Sequence, residues 1–151
     1  MKKSTWGNAV WFLFHTLAEK IKPEHKDEYK LLLNHITGIC SHLPCPDCQQ
    51  HATRVMLQVN QSGFVNSKET LIDFLWKFHN DVNKRTKKPE YSLESLNKYK
   101  SAVTSAIVKN FITIMSATSN NEKTMMYGFH RMLYMKNFIT YINANTYKYN
   151  P

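Results

Sequence analysis

Apolar residues recur every three or four positions along most of this chain, the period of an amphipathic α-helix rather than the two-residue alternation of a strand. The first such run goes from Trp6 through Leu17, with Ser4 or Thr5 expected as its cap and an end near Lys22-Pro23. A second carries Tyr29, Leu32, Leu33, Ile36 and Ile39, extends to about His42 and stops at Pro44, because the residue before a proline is driven out of the helical region. A third begins at Cys45-Pro46-Asp47-Cys48. Pro46 suits the first helical position, which puts Cys45 at the cap and Cys48 in the first turn, with Ala52, Val55, Met56 and Val59 as the inward stripe. The stretch from Asn60 to Gly63 ends it. Ser67 with Thr70 opens a fourth, buried through Leu71, Phe74, Leu75, Phe78 and Val82, and running to a basic cluster before Pro89. Two more helical patterns follow, roughly Leu93 to Ser116 and Glu122 to Asn143, separated by the polar break Thr118-Ser119-Asn120-Asn121. The chain has no internal repeat and no low-complexity tract.

Composition supports an all-α reading. The chain of 151 residues is 42% apolar with only four glycines and five prolines, enough to bury a core and too few breakers for a turn-rich β protein. The longest apolar run, Ala9 to Phe14, is far too short to cross a bilayer, and the N-terminus carries no hydrophobic signal core with a small-residue cleavage site. No membrane association and a cytoplasmic location are therefore expected. A net charge of +9 would suit nucleic acid, an acidic membrane or the phosphates of a cofactor, and charge alone does not choose among them. The methionines of the last helical pattern, Met125, Met126, Met132 and Met135, suit an extra layer on the bundle or on a second subunit.

Chemistry concentrates at the Cys45-Pro46-Asp47-Cys48 segment. Three cysteines cannot staple a secreted scaffold, so the pair invites either a reversible disulfide or metal. At a helix N-terminus the peptide dipoles favour thiolate, the form that exchanges disulfides. Zinc is the competing reading, with Cys40, Cys45, Cys48 and His51 as three sulfurs and an imidazole, in an interaction module that could use the basic surface on nucleic acid. A redox-inert helical scaffold is a third reading. A thioredoxin fold is disfavoured, because the flanking alternation of strands and helices is missing. Cys40 itself reads as a buried small hydrophobe, with a disulfide to a partner as the alternative.

Two further segments bear on the choice. Gly7, Trp11 and His15 recur every fourth residue, so that a gap, an indole and an imidazole line one helix face, which suits a flat ligand but, for the segment alone, reads first as a core tryptophan with a hydrogen-bonded histidine. On the fourth helix, His79-Asn80-Asp81-Val82-Asn83 puts His79 and Asn83 on one face, and Lys88-Pro89-Glu90-Tyr91 follows. Together with Trp6-Gly7 and with Pro44-Cys45-Pro46-Asp47-Cys48 and His51, these segments resemble the Erv/ALR family of FAD-dependent sulfhydryl oxidases in order and in spacing. The likeness covers roughly residues 4 to 100 and is most similar to the short versions encoded by large DNA viruses.

The resemblance implies a four-helix bundle with a short fifth helix holding FAD, over residues 1–101, and a helical C-terminal extension over 102–151. It implies a thiol oxidase in which electrons pass from protein thiols to the Cys45–Cys48 disulfide, then to FAD and to dioxygen, giving hydrogen peroxide. Cys45 would meet substrate and Cys48 would face the flavin. Positions matching those around FAD are Gly7, Asn8, Trp11 and His15 on the first helix, then His79, Asn80, Val82 and Asn83, and finally Lys84, Lys88 and Tyr91. No metal is implied, no nucleic acid is needed to explain the basic cluster, and a homodimer paired through the first helices is expected.

The departures from the family pattern are also informative. Trp76 and Leu93 stand where many members carry a structural disulfide, so apolar contact is expected to replace that bridge. Asn8 replaces the arginine usual after the first-helix glycine, and the arginine-tryptophan pair expected near residue 99 is absent, with Tyr99 the nearest aromatic. This chain has no second cysteine pair, so the substrate would reach Cys45 directly, through a separate small dithiol relay protein. A viral oxidase acting in host cytoplasm or in the virion would reconcile a cytoplasmic chain with disulfide formation.

Overall fold

The computed structural model describes residues 2–117 and 122–151, so the polar break at 118–121 lies outside the described residues, as does the Met125 side chain. The first helix, α1 (Lys3–Lys20), leads through a 3-10 segment at Pro23–Glu28 into α2 (Tyr29–Cys40). Next come α3 (Pro46–Ser62), α4 (Lys68–Arg85), a 3-10 turn at Leu93–Leu96 and the one-turn α5 (Asn97–Lys100). The chain closes with α6 (Thr104–Met115), α7 (Glu122–Asn145) and a final 3-10 turn at Thr146–Lys148. Among the described residues there is no strand, only an isolated antiparallel bridge between Ile21 and Tyr149. No helix among them is long and apolar enough to cross a membrane.

Two helix starts follow their sequence signals closely. Cys45 caps α3, its sulfur accepting from the Cys48 N–H at 3.3 Å, with Pro46 at the first position, and Gly63 ends the helix in the left-handed conformation at φ 69°. Ser67 caps α4 in a reciprocal box with Thr70, which satisfies two otherwise orphaned N–H groups. The start of α1 differs from expectation. The helix begins before Ser4 and Thr5, at Lys3, with Lys2 as a cap that offers no side-chain hydrogen bond. The single helix expected over 93–116 is also divided, because extended backbone at Val103 separates α5 from α6.

The core is organised around α1. Every residue from Leu13 through Ala18 is buried, so the helix has no solvent face along that stretch and must be covered from several sides. Phe78 and Leu75 of α4, Ile36 of α2, and Phe111 and Met115 of α6 belong with it to one apolar cluster, which extends to Met135, Phe138 and Ile142 of α7. Each fully buried Leu or Phe contributes about 1.5–3 kcal/mol. The C-terminal strand-like tail closes the far end: the Lys22 N–H donates to the Lys148 carbonyl at 2.9 Å and the Asn150 N–H to that of Lys20 at 2.7 Å. Lys148 also pairs with the buried Glu28 carboxylate at 2.8 Å.

Phe111 is fully buried between α1 and the C-terminal helices. Truncation by Phe111→Ala is expected to cost about 3–5 kcal/mol, read by urea denaturation. Because the cluster is continuous, the loss should appear in a single transition rather than in a separate early one.

Candidate functional site

A cleft of about 470 Å³ opens between the N-terminal half of α1, the start of α3 and the C-terminal half of α4. Gly7, Asn8 and Trp11 form one wall, Cys45 and Cys48 another, and His79, Val82, Asn83 and Lys88 the third. Nine of the sequence-predicted site positions thus meet at one cavity. Gly7 matters here for what it lacks, since a Cβ built on it would meet nothing within 4 Å and would project into open space.

The other four predicted positions lie outside the cavity lining. His15 is buried behind it, its Nε2 hydrogen-bonded to His79 Nδ1 at 2.9 Å. Asn80 clasps the backbone of Tyr91, accepting from its N–H at 2.6 Å and donating to its carbonyl at 3.0 Å. Tyr91 lies against His79, ring centroids 4.2 Å apart and 21° from parallel. Lys84 is exposed on the other side of α4, and it is Arg85 that reaches the cavity. Helical phase could have found this, since Phe78, Val82 and Arg85 share one stripe. Lys3, Phe14 and Thr86 also line the cavity and were not singled out by sequence.

The walls are held by stacked rings. Trp11 lies flat on His79 at 4.1 Å and 1°, His79 on Tyr91, and His15 on Tyr99 at 4.7 Å and 23°. Lys98 caps this column, its ammonium 5.3 Å from the Tyr91 ring and 5.1 Å from that of Phe12. The Tyr91 and Tyr99 hydroxyls are hydrogen-bonded to each other. Leu93 is exposed, so the contact expected to replace a bridge at Trp76 and Leu93 is not apolar. Instead the Trp76 indole N–H donates to the Tyr91 carbonyl at 2.7 Å, and with Asn80 this polar clasp ties the 89–92 segment to α4.

Cys40 is buried, while Cys45 and Cys48 are half-buried at the cleft. Cys40 is fully buried in the core, where burial pushes its thiol far up from the ordinary range, as suits a small hydrophobe. Cys48 departs from the expectation of a favoured thiolate. Burial raises its thiol, the hydrogen bond and proximity of Cys45 push the same way, and Lys3 opposes them. Cys48 is half-buried at the cleft wall, and there desolvation outweighs the stabilising field of the helix end in the dithiol form. His51, one turn beyond Cys48, lines the same cavity and is paired with Asp81 at 2.9 Å. Among the described residues no group of three or more His, Cys, Asp or Glu side chains is arranged to hold a metal ion, so the zinc set of Cys40, Cys45, Cys48 and His51 is not assembled.

His15 and His79 are both neutral near pH 7. Burial first, then His79 and Lys98, lowers His15 to about 3, and burial with Lys98 and Lys88 lowers His79 to about 4, from 6.5. The unfolded chain therefore binds protons that the folded chain refuses, and stability falls on acidification from about pH 6.5 towards about pH 4. Each histidine is expected to add a slope of up to about 1.4 kcal/mol per pH unit in that window and none above it. Denaturant midpoints between pH 8 and pH 4.5 check this, and His15→Phe should flatten the acidic limb.

Comparison with known proteins is consistent with this geometry. The chain is 32% identical over 93 residues to a protein of Invertebrate iridescent virus 3 provisionally named FAD-linked sulfhydryl oxidase 096R, covering 60% of this chain and 62% of that one. It is 28% identical over 106 residues to the FAD-linked sulfhydryl oxidase of African swine fever virus, isolate Pig/Kenya/KEN-50/1950, covering 69% and 84%. It is 28% identical over 86 residues to the Saccharomyces cerevisiae mitochondrial FAD-linked sulfhydryl oxidase ERV1, covering 56% of this chain and 44% of the yeast protein. The chain thus spans less than two thirds of the length of the iridescent-virus and yeast relatives. No solved structure matches. The model of the Erv1 / Alr family matches residues 8–102, from the cavity-lining Asn8 of α1 to just beyond α5, and the chain belongs to that family.

Proposed function

We propose that this chain is an FAD-linked sulfhydryl oxidase that makes disulfides in protein thiols. One observation carries the reading: Cys45 and Cys48 open onto the same cleft as Gly7, Trp11, His79 and the basic Arg85 and Lys88. The open space in front of Gly7 admits a flat ring against the helix backbone, and Asn83 and Lys88 offer hydrogen bonds and positive charge for a polar, phosphorylated tail. Asn8, Trp11, His79 and Val82 would complete the holding set, with His15, Asn80 and Tyr91 supporting it from behind. Bound FAD would supply a two-electron acceptor next to Cys48 that dioxygen reoxidises to give hydrogen peroxide.

The cysteines then divide the thiol chemistry. A substrate thiolate attacks Cys45 Sγ, the Cys45–Cys48 bond breaks, and Cys48 leaves carrying the electron pair. A second substrate thiol attacks the substrate sulfur of the mixed disulfide, releasing Cys45 and an oxidised substrate. Two electrons and two protons have moved from the substrate dithiol to the Cys45–Cys48 pair. Lys3, which opposes the effect of burial on Cys48, stabilises the charge that Cys48 acquires as it leaves.

A separate dithiol protein as immediate substrate, action in host cytoplasm or virion, and a homodimer belong to the same proposal. The viral origin of two relatives supports the location in kind. For the dimer, α6 and the bundle cover α1 from Leu13 to Ala18, which leaves the exposed start of α1 and other exposed faces for pairing. The exposed Met126, Phe129 and Leu133 stripe on α7 is one such face.

Purified protein is expected to be yellow, with flavin absorption bands, and to consume oxygen when given a dithiol. Cys48→Ser should keep the colour and lose at least about 99% of turnover, since the serine cannot re-form the disulfide. Cys40→Ala should retain activity. A colourless sample containing zinc would overturn the proposal.

A further inference from the structure

The segment that delivers Cys45 to the cleft is held from outside the family-matched region, by Tyr134 of α7. Ser41–Pro44 connects the end of α2 to the cap of α3. The Tyr134 ring lies on the imidazole of His42 in that segment, centroids 4.7 Å apart and 13° from parallel. Its hydroxyl donates to the His35 carbonyl at 3.0 Å, and it approaches Gly38 so closely that any Cβ there would overlap it. Glycine at 38 is thus the residue that makes room for the tyrosine. His42 in turn donates from Nδ1 to the Gly38 carbonyl at 2.7 Å, which fixes its ring, and the Gln49 amide in α3 donates to the Ser41 carbonyl.

The backbone between His42 and the reactive sulfur is short and restricted, so motion at His42 is passed on to Cys45. The Pro44 ring fixes its own φ and restricts Leu43 before it, and Pro46 restricts Cys45 in the same way, which reduces the torsions able to absorb a displacement. Cys45 is also the cap whose sulfur takes the Cys48 N–H. We infer that Tyr134 is a positioning residue for the redox pair: by clamping His42 against the end of α2 it holds Cys45 where it closes a disulfide with Cys48, which makes the C-terminal extension part of the redox site. This rests on the proposed function, in which that disulfide forms and is used.

The test measures the pair's own equilibrium and needs no turnover. Full-length protein is equilibrated without oxygen in glutathione buffers, where dithiol plus glutathione disulfide gives protein disulfide plus two glutathiones, and the Cys45–Cys48 disulfide is quantified after alkylation. Releasing the clamp lowers the effective concentration of one sulfur at the other, so Tyr134→Ala and His42→Ala should each reduce the constant for disulfide formation by about threefold or more. Tyr134→Phe, which keeps the ring on His42, should stay within about twofold of wild type even where its melting temperature drops. If Tyr134→Ala does not fold, His42→Ala at the half-exposed loop decides alone. Wild-type exchange in both alanine variants overturns the inference whatever their melting temperatures, and Tyr134→Phe as weak as Tyr134→Ala overturns the assignment to the ring. A wild-type protein that forms no Cys45–Cys48 disulfide overturns the proposed function and the inference with it.

Discussion

Burial of α1 on every side from Leu13 to Ala18 is the constraint on which the rest of this structure depends. A helical stretch buried on every side cannot sit at a surface, so α2, α4 and α6 surround it, and its neighbours are then fixed relative to one another. At its N-terminal half the same helix turns from core to wall. There Gly7 and Trp11 face the cleft, and Trp6 and Val10 belong both to its lining and to the apolar cluster, so the site inherits the rigidity of the core. Cavity position and bundle stability are therefore one problem, solved by one helix.

The polar groups near the cleft are organised by the same logic. Burying imidazoles is costly unless they are paired, and His15 and His79 meet this by bonding to each other while their rings stack on Tyr99, Trp11 and Tyr91. The 89–92 segment, with no disulfide to hold it, is fixed by Trp76 and Asn80 through the backbone of Tyr91. A hydrogen-bonded clasp of this kind is direction-specific in a way that apolar contact is not, which suits a segment that must place Lys88 and Pro89 at the cavity mouth.

How far the site could be read from sequence depended on whether its signals were local. Cys45 as cap and Pro46 as first helical residue follow from capping chemistry within one turn, and the structure places them so. His79 and Asn83 share a face because they are four residues apart, which needs no tertiary information. Lys84 against Arg85 was decided by helical phase, and there composition misled: the basic cluster drew attention as a block, although only one side of the helix faces the cleft. The raised Cys48 thiol could not be read locally, because helix position favours thiolate and burial at the cleft wall, with Cys45 beside it, reverses that balance.

The sequence by itself determined the helices, most of their ends, the cysteine cap and the cluster of family residues, since periodicity and capping act over three or four neighbours. It did not determine what covers α1 or what the C-terminal helices hold. Tyr134 finds the carbonyl of His35 at a separation of 99 positions, and nothing in either segment announces the other. Contacts of that range are selected only when the whole chain competes to bury its apolar surface, and it was there that the segment carrying Cys45 acquired its second support.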